Sequence, residues 1–361
     1  AIGVWLVASV TGVSSDPVGP LNGPPVLVWS ALVAASFLAV FGRATTFRAG
    51  IHPHGTWGTC GAAVAIGKLR GFDAEALAQA IRVSAALPIA TQYEAVHQGT
   101  TVRHLWSGLG NFNGALAADL VVSGFVGPAD MPARVFGETL GTAFDRDSVA
   151  SDLGQHFLML GNYFKVYACC RHAHASVDAM RAALEHETVD PVTIETIKVA
   201  TYARAVDATG RPGMPHTALG AKFSTPYILS AYLTRGHLDH DAFESPTLID
   251  PAVSSLVKRV IVDEEPAFTA MLPATRAARV TINLTDGRSL VGEARGSRGD
   301  PHAALTSAEV VGKFVDLAAP GLGEDEARQL ADIVMTRNGG LAVSRWLPPL
   351  VPGWDFASTS I

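Results

Sequence analysis

Arg279-Val280-Thr281-Ile282-Asn283-Leu284-Thr285-Asp286-Gly287-Arg288-Ser289-Leu290-Val291-Gly292-Glu293 is the stretch whose reading decides the fold. Val280, Ile282 and Leu284 alternate with polar neighbours, the period of a strand with one buried face. Asp286-Gly287 favours the tight primed turn that joins antiparallel strands, so the segment predicts a β-hairpin. Upstream, residues 194–202 alternate in the same way, and Val260 and Val262 repeat the pattern. Residues 175–185 have helical spacing. From about Tyr163 onward the chain therefore reads as α+β.

Outside that region the period is helical. Asp73 can cap a helix whose face carries Leu77, Ile81 and Ala85. A second helix is predicted over 108–123, with Leu109, Phe112, Leu116 and Leu120 on one face. Gly110, Gly114, Ala117 and Ala118 would let it pack closely, and Gly124 with Gly127-Pro128 ends it. Helix returns near the C-terminus. Thr306 and Glu309 form a capping-box pattern ahead of Val310, Val311, Phe314 and Leu317. Residues 324–337 follow as another helix, stopped by Gly339-Gly340. The expected architecture is a discontinuous all-helical domain, 1–160 with 299–361, and an inserted smaller α+β lid domain, 161–298. The segment 295–300 is the expected return linker.

Composition narrows the function classes. The chain has 361 residues, 48% apolar and 17% charged, a core-rich globular make-up. Its formal net charge of -6 offers no global attraction to nucleic acid, so any pull on an anion is local. Cys60, Cys169 and Cys170 make no disulfide framework, which points to a reducing, cytoplasmic setting. The apolar run over 26–41 falls short of the roughly 20 residues of a membrane span and reads as a buried helix. No Lys or Arg precedes Arg43, so a basic leader is not expected. The chain begins at Ala1 rather than Met, and an upstream portion is expected to be missing.

Four polar clusters stand out against this background. They are Ile51-His52-Pro53-His54-Gly55-Thr56-Trp57-Gly58-Thr59-Cys60; Val102-Arg103-His104-Leu105-Trp106-Ser107-Gly108; Phe164-Lys165-Val166-Tyr167-Ala168-Cys169-Cys170-Arg171-His172-Ala173-His174; and Ala221-Lys222-Phe223-Ser224-Thr225-Pro226-Tyr227. Together they suggest a cationic pocket for an anionic small molecule. Each has a bland reading when taken singly. Arg103 can clamp a carboxylate bidentately, or can be a surface arginine at a helix start. Lys165 can neutralise an anion or simply snorkel. Tyr227 can donate a proton or sit in the core. His52 and His54, with Cys169 and His174, could ligate a metal in a hydrolase, but no known zinc spacing is matched. Gly108-Leu109-Gly110-Asn111-Phe112-Asn113-Gly114 imitates a dinucleotide loop. The polar residues before it cannot form the buried strand that such a loop needs, so it reads as helix packing.

In this order the four clusters resemble the MmgE/PrpD family, which includes 2-methylcitrate dehydratase, cis-aconitate decarboxylase and iminodisuccinate epimerase. The His-Pro-x-Gly-Thr-x-Gly stretch at 52–58, Arg103-x-Leu-x-x-Gly108, Phe164-Lys-x-Tyr-x-Cys-Cys170 through His174, and Lys222-x-Ser-x-x-Tyr227 carry the likeness. The resemblance implies a helical domain with a smaller α+β lid, the active site between them, a homodimer, and no metal or other cofactor. It makes His52, Lys165 and Tyr227 catalytic, and Arg103, Arg171, His174 and Ser224 substrate-binding. Arg103 stands where several relatives have lysine. Cys170 stands where the decarboxylases have histidine, which favours dehydration or epimerisation. Near the N-terminus the family's Asp/Thr/His element has no clear match. Asp16 is its remnant, and Pro24 takes the place of the histidine. A catalytically weakened relative is therefore an alternative. The resemblance implies a lyase, a hydro-lyase above all, acting on a small di- or tricarboxylic hydroxy acid, with neither nucleic acid nor membrane as partner. Epimerisation of the same class of acid is the nearest alternative.

Overall fold

The structure, a computed structural model, describes residues 39–151, 155 and 158–335. It is mixed helix and sheet, an α+β fold, and it divides into two compact units. Unit 1 takes Ala1–Gln92, His104–Gly161 and Thr306–Ile361; unit 2 takes Tyr93–Arg103 and Asn162–Leu305. Two boundaries differ from the expected ones. Tyr93–Arg103 belongs to unit 2, and the return to unit 1 comes after Leu305 rather than within 295–300. The reason for the second is local: Phe164 N–H donates to the Gly299 carbonyl at 2.9 Å, tying that turn to the start of unit 2.

In unit 1, the run expected as a buried helix enters the described residues at its end. Residues 39–44 are helical, with Val40 and Phe41 buried; 26–38 lie outside the described residues. Strand β1 (Thr45–Phe47) pairs antiparallel with β2 (Gly141–Phe144), so the unit is not all-helical as expected. Helices α1 (Gly58–Leu69), α2 (Ala74–Ser84) and α3 (Leu105–Val122) pack together. Asp73 caps α2, accepting from Ala76 N–H at 2.9 Å. The α1–α3 seam is built from small residues. A Cβ at Gly114 would lie 2.5 Å from Ala62 Cβ and 2.6 Å from the Thr59 carbonyl, so only glycine allows this approach. The residues immediately before α3, Thr101–His104, form a 3-10 turn rather than a strand, so the dinucleotide-loop imitation is helix packing.

Unit 2 is built on a sheet of order β4-β3-β5-β6. Helix α4 (His174–Ala183) lies against β5 and β6. Strand β3 (Ile194–Thr201) is followed by helices α5 (Thr225–Arg235) and α6 (Pro251–Val257), then by β4 (Val260–Glu264), parallel to β3. The predicted hairpin is β5 (Ala277–Leu284) and β6 (Ser289–Arg295), with Gly287 at φ 89° in its turn. The core lies between α4, α5, α6 and the sheet's buried face, where Met180, Ile197, Val199, Ile228, Leu256, Val280 and Ile282 pack.

The chain then returns to unit 1 with α7 (Ser307–Leu322) and α8 (Glu324–Met335). The Thr306–Glu309 capping box is formed in both directions. The Gly339-Gly340 stop and the Asp16 and Pro24 positions lie outside the described residues. Among those residues, no helix is long and apolar enough to cross a membrane.

Candidate active site

Tyr93–Arg103 is the device that carries Arg103 into unit 2. Glu94 accepts from Arg211 at 3.3 and 3.1 Å and from Gln98 at 3.2 Å. The Arg211 bond, above all, brings the Glu94 carboxyl down to about 2. Five residues on, Thr217 Oγ1 donates to the Gly99 carbonyl at 3.1 Å. Gly99 holds φ 65°, and a Cβ there would fall 2.2 Å from Thr217 Oγ1 and 2.6 Å from Gly220 N, so no side chain fits. The segment ends with the Arg103 guanidinium 5.8 Å from the centre of the Phe223 ring. Burial lowers the pKa of Arg103, against a rise from Cys170 and Tyr93. Its Nε is buried without a hydrogen-bond partner.

Lys165 reaches the same neighbourhood from a later segment of the chain. The turn that carries it is fixed by Ala168 N–H to the Leu238 carbonyl (3.1 Å) and Cys170 N–H to the Lys222 carbonyl (2.8 Å). Burial raises the pKa of the Cys170 thiol, while Lys165, Arg103 and Arg171 pull it down. Three cationic charges thus act on one nearly buried thiol. Arg171 alone of these is neutralised. It is 6% exposed, pairs with the Asp300 carboxylate, donates to Ser297 Oγ at 3.2 Å and lies 4.9 Å over the Tyr163 ring. Burial pushes Asp300 up, but Arg171 and the Ser297 N–H outweigh it and hold the carboxyl below its ordinary value. Lys165 has no carboxylate partner among the described residues and is exposed.

The other expected site residues have structural partners. Tyr227 has no exposed surface, and its hydroxyl donates to the Ala242 carbonyl at 2.7 Å. Burial raises its pKa to about 12. In the structure its hydroxyl donor is thus committed inside the core. Ser224 is the N-cap of α5, accepting from Tyr227 N–H at 3.2 Å. His174 opens α4, fully buried beside Tyr167 at 5.1 Å between rings, with neither ring nitrogen hydrogen-bonded. Burial, reinforced by Arg171 and Lys165, lowers it to about 3, so it is a neutral core imidazole.

His52 belongs to unit 1 and is 5% exposed. Its carbonyl accepts from Thr91 Oγ1 at 2.5 Å, and its ring lies 5.0 Å from Trp106 and 4.6 Å from His54. Gly55 makes the tight path possible: it holds φ 81°, where a Cβ would lie 2.6 Å from Ile89 and 2.9 Å from the Trp106 carbonyl. His52 Nδ1 accepts from His54 N–H at 3.2 Å. That bond places the proton of the neutral ring on Nε2. Among the described residues no three His, Cys, Asp or Glu side chains are grouped to hold a metal ion, so the HxH reading gains no third ligand.

Sequence reading missed several members of the unit 2 cluster. Tyr202 donates or accepts at His172 Nδ1 over 2.8 Å, and burial brings His172 to about 4. Tyr163, Asp300 and Arg276 were missed as well. Only Asp300 left a trace, as the acidic end of the Ser297-Arg298-Gly299-Asp300 turn.

Both halves of the chain match one family by sequence: the MmgE/PrpD N-terminal domain over residues 24–144 and the MmgE/PrpD C-terminal domain over residues 167–338. The chain belongs to the MmgE/PrpD family. It is also similar to the protein named cis-aconitate decarboxylase from Aspergillus terreus, 21% identical over 304 residues, covering 79% of this chain and 61% of that one. The same-named protein of Aspergillus terreus strain NIH 2624 is 21% identical over 305 residues, with 80% and 62% covered. The chain thus spans about three fifths of the length of these curated relatives. MmgE/PrpD membership and the distant decarboxylase match support a lyase-like family function without fixing substrate or reaction.

Proposed function

We propose that this MmgE/PrpD protein is a lyase that acts on a small di- or tricarboxylic hydroxy acid by moving a proton on the carbon next to a carboxylate, with loss of water as the net reaction. The observation that supports this most directly is that the Arg103 and Lys165 charges both act on Cys170, and neither cation has a carboxylate partner among the described residues. Removing a proton next to a carboxylate builds negative charge on carbon and on the carboxylate oxygens. Fixed cations placed where that charge grows lower the barrier by about 3 kcal/mol each. Arg103 supplies a planar fork for one carboxylate, and Lys165 a point charge.

His52 is the proton-transfer group in this reading. It takes the proton from carbon as a base, which needs the tautomer with Nε2 unprotonated and so release of the His54 N–H bond to Nδ1. The imidazolium so formed gives a proton to the departing hydroxyl, which leaves as water. Tyr227 has no part in the chemistry.

Decarboxylation is the second reading, favoured by the relatives' name. It also passes through negative charge on carbon, so the same cations serve it. A homodimer in the cytoplasm remains the expected setting.

Proton NMR in deuterium oxide, with a panel of hydroxy di- and tricarboxylic acids, tests the reading. Deuterium entering carbon next to a carboxylate, lost in His52→Gln, supports it. Carbon dioxide release without such exchange selects decarboxylation. Neither event across the panel overturns both.

A further inference from the structure

Arg276 immediately precedes β5, is half-buried, and has no carboxylate, hydrogen-bond or ring partner for its guanidinium among the described residues. Its backbone is well fixed. Gly296 N–H donates to its carbonyl at 3.1 Å, and the next residues of that strand end, Ser297 and Asp300, are the ones that hold Arg171. On its other side, Thr201 Oγ1 donates to the Ala277 carbonyl at 3.0 Å, and Tyr202 packs on Ala277 while bonded to His172. The Arg276 charge acts on Tyr163, Tyr202 and His172, each of which the Arg171 charge also influences. The cluster thus extends past Arg171 to a further cation.

The balance of charge is uneven. Arg103, Lys165 and Arg276 have no carboxylate partner among the described residues, and the Asp300 carboxylate is taken by Arg171 and by the Ser297 N–H. A half-buried guanidinium such as that of Arg276, left without a carboxylate, is unfavourable unless an anion joins it. Arg171 and its Asp300 form a neutral pair; the Lys165 and Arg103 charges act on Cys170, and the Arg276 charge acts on Tyr163 and Tyr202.

We propose that Arg276 is a specificity-determining residue, binding a substrate carboxylate remote from the reacting carbon on the Tyr163–Tyr202 side of the Arg171–Asp300 pair. This rests on the carboxylic-acid reading above and extends it to a second anion subsite. An arginine suits the task because its fork takes a carboxylate through two parallel hydrogen bonds. Tyr163, 37% exposed, offers a neutral hydroxyl beside it, since burial raises its pKa.

Titration calorimetry on the full chain, with propane-1,2,3-tricarboxylate and with glutarate as probes, tests it. The wild-type protein is expected to prefer the tri-acid at least tenfold. Arg276→Gln should cut that preference below threefold with glutarate affinity unchanged, and Arg276→Lys should restore part of it. Circular dichroism and a thermal melt establish that both variants fold. A preference that survives in Arg276→Gln overturns the Arg276 assignment alone. Failure of the wild-type protein to bind either probe overturns the carboxylic-acid reading, and the assignment with it.

Discussion

The Tyr227 hydroxyl donates to the Ala242 carbonyl at 2.7 Å, inside a core where neither residue is exposed. A buried carbonyl left without its donor costs about 1–3 kcal/mol. Tyr227→Phe should therefore lower stability by that amount in urea denaturation and leave kcat/KM within threefold of wild type. A loss of kcat beyond tenfold in folded protein would return Tyr227 to the chemistry.

Arg103 makes few bonds to the rest of unit 2, resting on Phe223 with an unpaired Nε. Arg103→Met should cost little stability but reduce kcat/KM by about 10²-fold, the typical loss of one charge-stabilising donor. Steady-state rates beside a thermal melt separate the two effects.

Arg171 and Asp300, each 6% exposed, are neutral only as a pair. Asp300→Asn leaves a buried guanidinium unmatched and should cost about 3–5 kcal/mol. Arg171→Met with Asp300→Asn should recover much of it. Chemical denaturation of the single and double variants measures this.

His172 and His174 both titrate below the ordinary histidine value, at about 4 and about 3, because burial opposes their charging. Above pH 6.5 they are neutral folded or unfolded and contribute no slope. Below it the unfolded chain takes up protons that the folded chain refuses. Stability therefore falls on acidification from about 6.5 toward 4, by up to about 1.4 kcal/mol per pH unit for each ring. Denaturation curves at pH 7.5, 6 and 5 should show this, and His174→Phe should flatten the slope.

Much of the fold was legible because it obeys local rules. The Asp286-Gly287 hairpin, the Asp73 cap and the Thr306–Glu309 box depend on residues within a few positions of one another. Helix α3 shows where such rules stop. Its span was readable, yet the face it buries carries Gly110, Gly114, Ala117 and Ala118, while Leu109, Phe112 and Leu116 stay 41%, 51% and 38% exposed. Close approach to α1, which no local pattern encodes, selects the small residues. The site divides likewise. Ordered motifs singled out Arg103 and Lys165 as candidates, but Ser224-x-x-Tyr227 is as good a pattern for an N-cap and a core tyrosine as for catalysis. Arg276 is a lone arginine before a strand, and its significance comes from Gly296, Tyr163 and Tyr202 far away in sequence.

Gly114→Ala tests the seam between α1 and α3. Alanine favours a helix over glycine by about 1 kcal/mol. The new methyl would meet the Thr59 carbonyl at 2.6 Å, however, and overpacking costs about 1–3 kcal/mol. Because the obstacle is backbone, the clash should win and the melting temperature should fall; a rise would show that the helices can separate freely.

The polypeptide changes units after Gln92, Arg103, Gly161 and Leu305. A fragment cut at the last two junctions would keep the whole β-sheet but forfeit Arg103 and the Glu94–Arg211 clamp. Neither half is a cassette that evolution or an engineer can transplant by one splice, because the eleven residues of Tyr93–Arg103 belong to unit 2 while the chain on both sides of them belongs to unit 1.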